Sequence, residues 1–264
     1  MKEKIKALLP AECPWRDTLY WFDTITSTND QAKKMAQSGA PHGTVLIADQ
    51  QTGGRGRMGR SFSSPKGMGI YVSVILRPNC PAQQLMHITC ATAVCVSDAV
   101  EAVCHFRPGI KWINDLVADS KKLGGILTEL SVSARSGLVE YAVVGIGINC
   151  DQASRDFPPE IRDVAISLQS VTGCAPKKEL LIASMIQHLW NMDKDLLSRS
   201  FLSSYRQNCV TLNKSIVILQ GENKQFATAL DIDRDGGLIV RYPDGTEETV
   251  HSGEVSVRGM YSYV

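Results

Sequence analysis

No two of the eight cysteines, at 13, 80, 90, 95, 104, 150, 174 and 209, form a Cys-x-x-Cys pair, and no Cys/His cluster has zinc-finger spacing. A structural zinc module is therefore not expected. Irregularly spaced free thiols fit a reducing cytosol better than a disulfide framework. No stretch reads as the ~18–20 consecutive apolar residues of a membrane span. The N-terminal MKEKIKALLPAECP has no hydrophobic region of the signal-peptide kind. A cytoplasmic protein without a membrane partner is the expectation. Surplus charge is also missing. Lys and Arg number 28 and Asp and Glu 27, a formal net charge of +1, so there is no global footprint for nucleic acid and any basic function must be local. Internal repeats and low-complexity tracts are absent.

What is present is an ordinary globular composition, 44% hydrophobic and 21% charged over 264 residues. That is enough for one large domain or a large and a small one. The most informative stretch is Gln50–Arg60, which places four glycines and three arginines within the eight positions Gly53–Arg60. Glycine lets backbone N–H groups approach a ligand closely. Arginine offers a permanently charged planar fork suited to carboxylate and phosphate oxygens. Arg-Gly segments also serve as disordered nucleic-acid contacts. This one is short and lies between the strand-like runs Val45–Ala48 and Ile70–Leu76, which favours a loop that closes over a small anion.

Tyr20–Ile25 reads as a strand, followed by a helix over Gln31–Gln37 that Thr26, Ser27 or Thr28 would cap and Gly39 and Pro41 would end. Ser27–Asn29 serves either as a plain cap or as a polar-ligand site at a helix N-terminus. Thr44–Gln50 and Gly69–Leu76 are strands, the second buried on both faces. Phe62 is either a nucleobase-stacking face or a core aromatic. Ala82–Cys104 has apolar residues at helical spacing. His87 and His105 flank it, with nothing to make either a ligand. Ile110–Val117 reads as one strand carrying Lys111, Asn114 and Asp115 toward an edge. Asp119–Lys122 reads as a turn, and Leu123–Leu130 and Tyr141–Cys150 as strands. Gly145 and Gly147 suggest close approach by a ligand or backbone, and their Gly-x-Gly lacks the remainder of a dinucleotide-binding fingerprint. Ala165–Val171, Lys177–Leu197 and Phe201–Cys209 read as helices. Five short strand candidates follow, at Ser215–Leu219, Gln225–Ile232, Gly237–Tyr242, Glu247–His251 and Glu254–Arg258, and suggest a small SH3-like barrel.

Four polar segments, Ser27–Asn29, Gln51–Arg60, Lys111–Asp115 and Lys122–Gly125, each sit at a strand end or helix start. Together they suit a carboxylate meeting a nucleotide triphosphate. With Gly-Ile-Gly-Ile-Asn at 145–149 and Gly-Glu-Val-Ser-Val-Arg at 253–258, these blocks resemble, in order, those of the biotin–protein ligases. The resemblance covers about residues 20–258. It implies an α/β (α+β) fold: a mixed-sheet catalytic domain like that of class II aminoacyl-tRNA synthetases, at 19–212, after a short lead-in at 1–18, with a C-terminal SH3-like barrel at 213–264. It implies activation of biotin by ATP to biotinyl-5′-AMP and pyrophosphate, with Mg²⁺, then transfer to a lysine of a biotin carboxyl-carrier domain.

By resemblance, Ser27, Thr28, Asn29 and Gln51 bind biotin's ureido ring or line its pocket. Gly54, Arg55, Gly56 and Arg57 close over biotin and the adenylate, and Gly124 belongs to the same pocket. Lys122 is the chief catalytic residue, bridging the biotin carbonyl and the α-phosphate, with Arg55 and Arg57 beside it. Arg57, Arg60, Phe62, Lys111, Trp112, Asn114, Asp115 and Asn149 serve ATP and the adenylate, and Asp115 is the candidate Mg²⁺ ligand. The chain departs from the family pattern at Gly53, Met58, Ile113 and Gly124, none of which carries an assigned charge. About 18 residues precede the first strand, against roughly 60 for the smallest domains that fold alone. A DNA-binding module and operator binding are therefore not expected, and a homodimer is left open. Two alternatives compete: a lipoate or octanoate ligase of the same fold, and a nucleic-acid-binding protein using Arg55, Arg57 and Arg60.

Overall fold

The computed structural model describes residues 1–251 and, by backbone, 255–259. Gly253 and Glu254 of the last motif block lie outside the described residues. In chain order the elements are α1 (Lys2–Leu8), β1 (Leu19–Phe22), α2 (Thr28–Gln37), β2 (Thr44–Ala48), β3 (Gly69–Leu76), α3 (Ile88–Cys104), β4 (Gly109–Lys111), β5 (Asp115–Ala118), β6 (Lys121–Val132) and β7 (Val139–Asn149). Then come α4 (Leu168–Thr172), α5 (Lys178–Asp193), α6 (Leu202–Asn208), β8 (Ser215–Gln220), β9 (Asn223–Ile232), β10 (Leu238–Arg241), β11 (Glu247–Val250) and β12 (Val255–Gly259).

Seven strands form a mixed sheet in the order β1-β2-β3-β7-β6-β5-β4. Its first pair is parallel and the rest antiparallel. Every residue of β2 and β3 is buried, so their side chains serve two different layers. Val45, Ile47, Val72, Val74, Val144 and Ile146 pack on one face with residues of α1, α3 and α5. Leu46, Ile75, Tyr141 and Val143 pack on the other against Ala32 and Ala36 of α2. That second face is shared. At the N-terminus of α2, Ser73, Gly145, Tyr71 and Gly147 continue it, paired Ser73 with Gly145 and Tyr71 with Gly147, and the cleft described below stands on them.

Five strands form the second, antiparallel sheet, in the order β11-β10-β9-β8-β12, in keeping with the expected SH3-like unit. It is joined to the large sheet by one continuous apolar core that includes Ile216, Ala229, Ile232, Leu238 and Val250.

Several elements differ from expectation. Within the short lead-in at 1–18, α1 forms, and Ile5, Leu9, Cys13 and Trp15 are buried in the main core. Ile110–Val117 is not one strand but the hairpin β4–β5, with a cis peptide between Trp112 and Ile113. The turn after β5 needs only Asp119 and Ser120, both with positive φ, so Lys121 and Lys122 belong to β6. The segment Ala82–Cys104 is, contrary to the reading of the sequence, long and apolar enough to cross a membrane by length and composition. Most of it is buried in the fold, which identifies it as the core helix under the sheet. None of the eight cysteines is paired, and Cys174 alone is exposed.

Candidate active site

Ser27 caps α2, its Oγ accepting from the Asp30 N–H at 3.3 Å, which leaves its hydroxyl proton to donate elsewhere. Ser27, Thr28 and Asn29 are nonetheless buried, at 2%, 4% and 4% exposure, because the helix starts directly over the sheet. Ser73, a lone polar residue in an apolar strand, donates from Oγ within 2.6 Å of Asn29 Oδ1 and 2.8 Å of Thr28 Oγ1. The Asn29 amide donates to Leu127 O at 3.2 Å and to Glu129 Oε2 at 2.9 Å. Asn29 lies so close over Gly145 that a Cβ there would be 2.0 Å from its Oδ1. Gly147 leaves the same room for Phe62, whose ring would be 2.6 Å from a Cβ. The close approach expected at these two glycines is therefore made by side chains of the site. The floor of the cleft is rigid and mostly hydrogen-bonded before any ligand is considered.

Gln51 ties the glycine-arginine loop to this floor. Its Oε1 accepts from the Thr28 N–H at 2.8 Å and the Thr28 hydroxyl at 3.1 Å, and its Nε2 donates to Ser64 Oγ at 2.9 Å. Beyond Gln51 the loop folds back on itself. The Phe62 N–H donates to Gly54 O at 2.9 Å and the Gly56 N–H to Arg60 O at 2.7 Å, with Met58 and Gly59 at positive φ in the tip. Arg57 turns inward and its Nη1 donates to Asn114 Oδ1 at 3.1 Å. Burial pulls the Arg57 guanidinium below its ordinary pKa, while the nearby Asp115 carboxylate works against the shift. It remains charged at neutral pH. Arg55, at the cleft's edge, pairs with Asp30, Nε to Oδ2 at 2.8 Å.

Lys122 reaches the cleft through a bulge. Between β5 and β6 the pairing steps from Leu116–Gly124 to Val117–Lys122, leaving Leu123 as an extra residue. Strict alternation would have put Lys122 on the α3 side with Gly124 and Ile126. The bulge re-aims it, and its Nζ lies 3.2 Å from where a Gly125 Cβ would stand. There it pairs with Asp115 Oδ1 at 2.6 Å. Asp115 thus faces both inward cations. The cleft is walled by Ser27–Asn29, Gln51, Arg55–Arg57, Phe62, Asn114, Lys122, Gly125–Leu127 and Gly145–Gly147, and encloses about 50 Å³. Ligand pockets run to about 300–1,000 Å³, so the cleft as it stands is far smaller than a usual ligand site.

Not every expected residue joins the cleft. Trp112 is placed differently from the adenylate role expected of it. It is 4% exposed and its Nε1 donates to Gly236 O at 2.9 Å, so the indole faces the second sheet with no free ring face. Asn149 is 5% exposed and spends its Nδ2 on Lys122 O at 3.4 Å and Ile166 O at 3.1 Å, bracing the strand behind Lys122. Lys111 is buried on β4 outside the cleft wall. Arg60 is exposed on the loop, and Gly54 and Gly124 are buried behind the wall. Phe62 lines the cleft and packs edge-on against Tyr71, centroids 6.4 Å apart. Sequence reasoning missed Asp30, Ser73 and Glu129. Only Ser73 carried a signal, as the one hydroxyl in Gly69–Leu76 apart from the Tyr71 phenol.

Fold and cleft together are those of a ligase that brings a carboxylate to a nucleotide. The profile of the Biotin/lipoate A/B protein ligase family matches residues 21–149, and that of the Biotin protein ligase C terminal domain matches residues 211–258. The chain is 35% identical over 247 residues to the Bifunctional ligase/repressor BirA of Bacillus spizizenii, covering 90% of this chain and 74% of that protein. It is 31% identical over 263 residues to the Biotin--[acetyl-CoA-carboxylase] ligase of Mycobacterium tuberculosis, covering 94% and 91%. The structure of the biotin protein ligase from Aquifex aeolicus in complex with biotin and ATP superposes with a TM-score of 0.77 at 30% identity, over 92% of this chain and 99% of that one. The chain belongs to the biotin protein ligase family.

Proposed function

We infer that this chain is a biotin–[acetyl-CoA-carboxylase] ligase that works in two steps. A biotin carboxylate oxygen attacks the α-phosphorus of ATP, the bond to the β-phosphate breaks, and biotinyl-5′-AMP and pyrophosphate result. The neutral amine of a carrier-domain lysine then attacks the acyl carbon, AMP leaves, and an amide remains. The observation that carries this reading is the convergence of Arg57 and Lys122 on one narrow cleft, over a floor of pre-bonded Ser27, Thr28 and Asn29. Negative charge grows on the phosphates and the attacked carbonyl oxygen, so cations already in place stabilise the transition state without reorganisation. Lys122 serves the bridging oxygen region, Arg57 the phosphate, and Asn114 holds Arg57 in position. Ser27 has a hydroxyl proton to donate to the ureido oxygen. A loop closed over the mixed anhydride excludes water.

Asp115 fits a role toward Mg²⁺. Among the described residues no group of three or more His, Cys, Asp or Glu side chains gathers to cage a metal, and Mg²⁺ is commonly held by one or two carboxylates plus substrate phosphates. Bound there, it would neutralise charge on the triphosphate. The acceptor is a biotin carboxyl-carrier domain, and the compartment we assign is the cytoplasm, on the eight unpaired cysteines.

The test is biotin-dependent exchange of labelled pyrophosphate into ATP by the purified protein with no acceptor. Exchange with biotin is expected. Exchange with lipoate alone would move the chain to lipoate chemistry, and steeply salt-dependent nucleic-acid binding without exchange would overturn the enzyme reading.

A further inference from the structure

Beneath the loop lies a run of four charges of alternating sign. Arg55 Nε pairs with Asp30 Oδ2 at 2.8 Å, Asp30 Oδ1 with Lys33 Nζ at 3.1 Å, and Lys33 Nζ with Glu129 Oε1 at 2.6 Å. The run ends where Glu129 Oε2 accepts from the Asn29 amide in the cleft floor at 2.9 Å. Asp30 and Lys33 sit on the first turns of α2, and Glu129 on β6. The loop is fastened at its root by Gln51 and on its flank by Arg55, and both fastenings end on the N-terminus of α2.

We propose that Asp30 is a positioning residue that latches the glycine-arginine loop over the cleft by holding Arg55, so that Arg55 serves closure while Arg57 serves the anion. The two arginines differ in the way this division requires. Arg57 is turned inward, desolvated, and bonded to the wall at Asn114. The Arg55 side chain is 55% exposed and its Nε is paired with Asp30. An ion pair this exposed shifts an equilibrium by about fivefold or less, which suits a catch that must open for each substrate and each product. A fully buried pair would cost far more to break. The alternation of charge matters too. Lys33 keeps Asp30 turned toward the loop, and Glu129 compensates Lys33, so the latch is braced on the same floor that receives the ligand.

This inference rests on the ligase reading, and the experiment separates the two. Wild type is first assayed for biotin-dependent pyrophosphate exchange, and absence of exchange would count against the ligase reading alone. Biotinyl-adenylate is then formed on the enzyme, pyrophosphate is removed, and the dissociation rate of the adenylate is followed in wild type, Asp30→Asn, Arg55→Gln and the double variant. Asn at 30 preserves the backbone N–H that Ser27 caps, so α2 is retained, and thermal unfolding checks this. The expected result is about three- to fivefold faster release from Asp30→Asn, with the double variant no faster than Arg55→Gln alone, since the two residues act through one contact. Raising ionic strength should speed release from wild type more than from Asp30→Asn. Wild-type release from Asp30→Asn, or strictly additive effects in the double variant, would overturn the latch.

Discussion

The glycine-arginine loop and the Lys111–Asp115 hairpin meet where Arg57 reaches Asn114 and faces Asp115, and are otherwise opposites. The loop is largely exposed, folded on three internal backbone bonds, and fastened to the rest of the protein by Gln51, by the Thr52 and Gly53 backbone and by Arg55. The hairpin is built into both sheets. Its Trp112 N–H donates to Thr211 Oγ1 at 2.9 Å, its indole to Gly236 O, and the neighbouring Tyr205 hydroxyl to Ile113 O at 3.2 Å. One block is an exposed, lightly held grip and the other a buried, cross-bonded abutment. A chemical step that must admit two substrates and then shield a labile product needs both.

The sharpest way to break the comparison is to cut the abutment. Trp112→Ala should cost about 3–5 kcal/mol of stability in denaturant unfolding, the usual cost of deleting a buried indole. The exposed Arg60→Ala in the loop should stay within about 0.5 kcal/mol. Equal costs would mean that the hairpin is no more structural than the loop. Next is Lys122→Ala, expected to slow pyrophosphate exchange by about 10²–10³-fold, the size of effect seen when a pre-placed charge-stabilising group is removed, with little change in melting temperature. Near-normal exchange would remove Lys122 from the chemistry. Arg57→Gly should release the adenylate about 10–100-fold faster, the equivalent of one lost charge-assisted hydrogen bond, and should label bystander lysines. Unchanged selectivity would show that the grip does not depend on Arg57.

The smallest expected effect lies away from both regions. His87 is fully buried, and burial above all, with Arg199 adding, holds its pKa below the ordinary 6.5, while Leu196 O opposes the shift. A base depressed in the fold is favoured there in its neutral form. Its contribution to stability is therefore complete above the unfolded value and lost as pH falls through 6.5 toward the folded value. Melting temperature should decline more steeply below pH 6.5 in wild type than in His87→Gln, and parallel curves would refute this.

Much of this arrangement could be read from residue patterns. A continuous apolar run as short as Gly69–Leu76 favours a strand buried on both faces, and the Leu181–Leu189 spacing favours a helix. The order of the polar blocks was enough to gather Ser27–Asn29, Arg57 and Lys122 at one place. Three things stayed hidden for physical reasons. A bulge is a matter of register between two strands, so nothing in Lys-Lys-Leu-Gly-Gly announces that Lys122 turns toward the cleft. Trp112 looks like a ligand-stacking ring until its partner, a carbonyl 124 positions away, is known. The charges on Asp30, Lys33 and Glu129 look like ordinary solvated helix and strand faces, and their alternation exists only once α2 lies across β6.

The shared core has a further consequence, for how the molecule comes apart. Because Trp15, Trp112, Ile216 and Val250 belong to one unbroken apolar cluster, and Arg199 and Arg206 cross to Asp235 and Asp231 at 2.8 Å each, neither sheet keeps its interior dry without the other. Calorimetry should record a single melting transition, and the small sheet expressed alone should not show one. Cooperativity of that kind makes the C-terminal strands part of the enzyme's thermal endurance as well as of its shape.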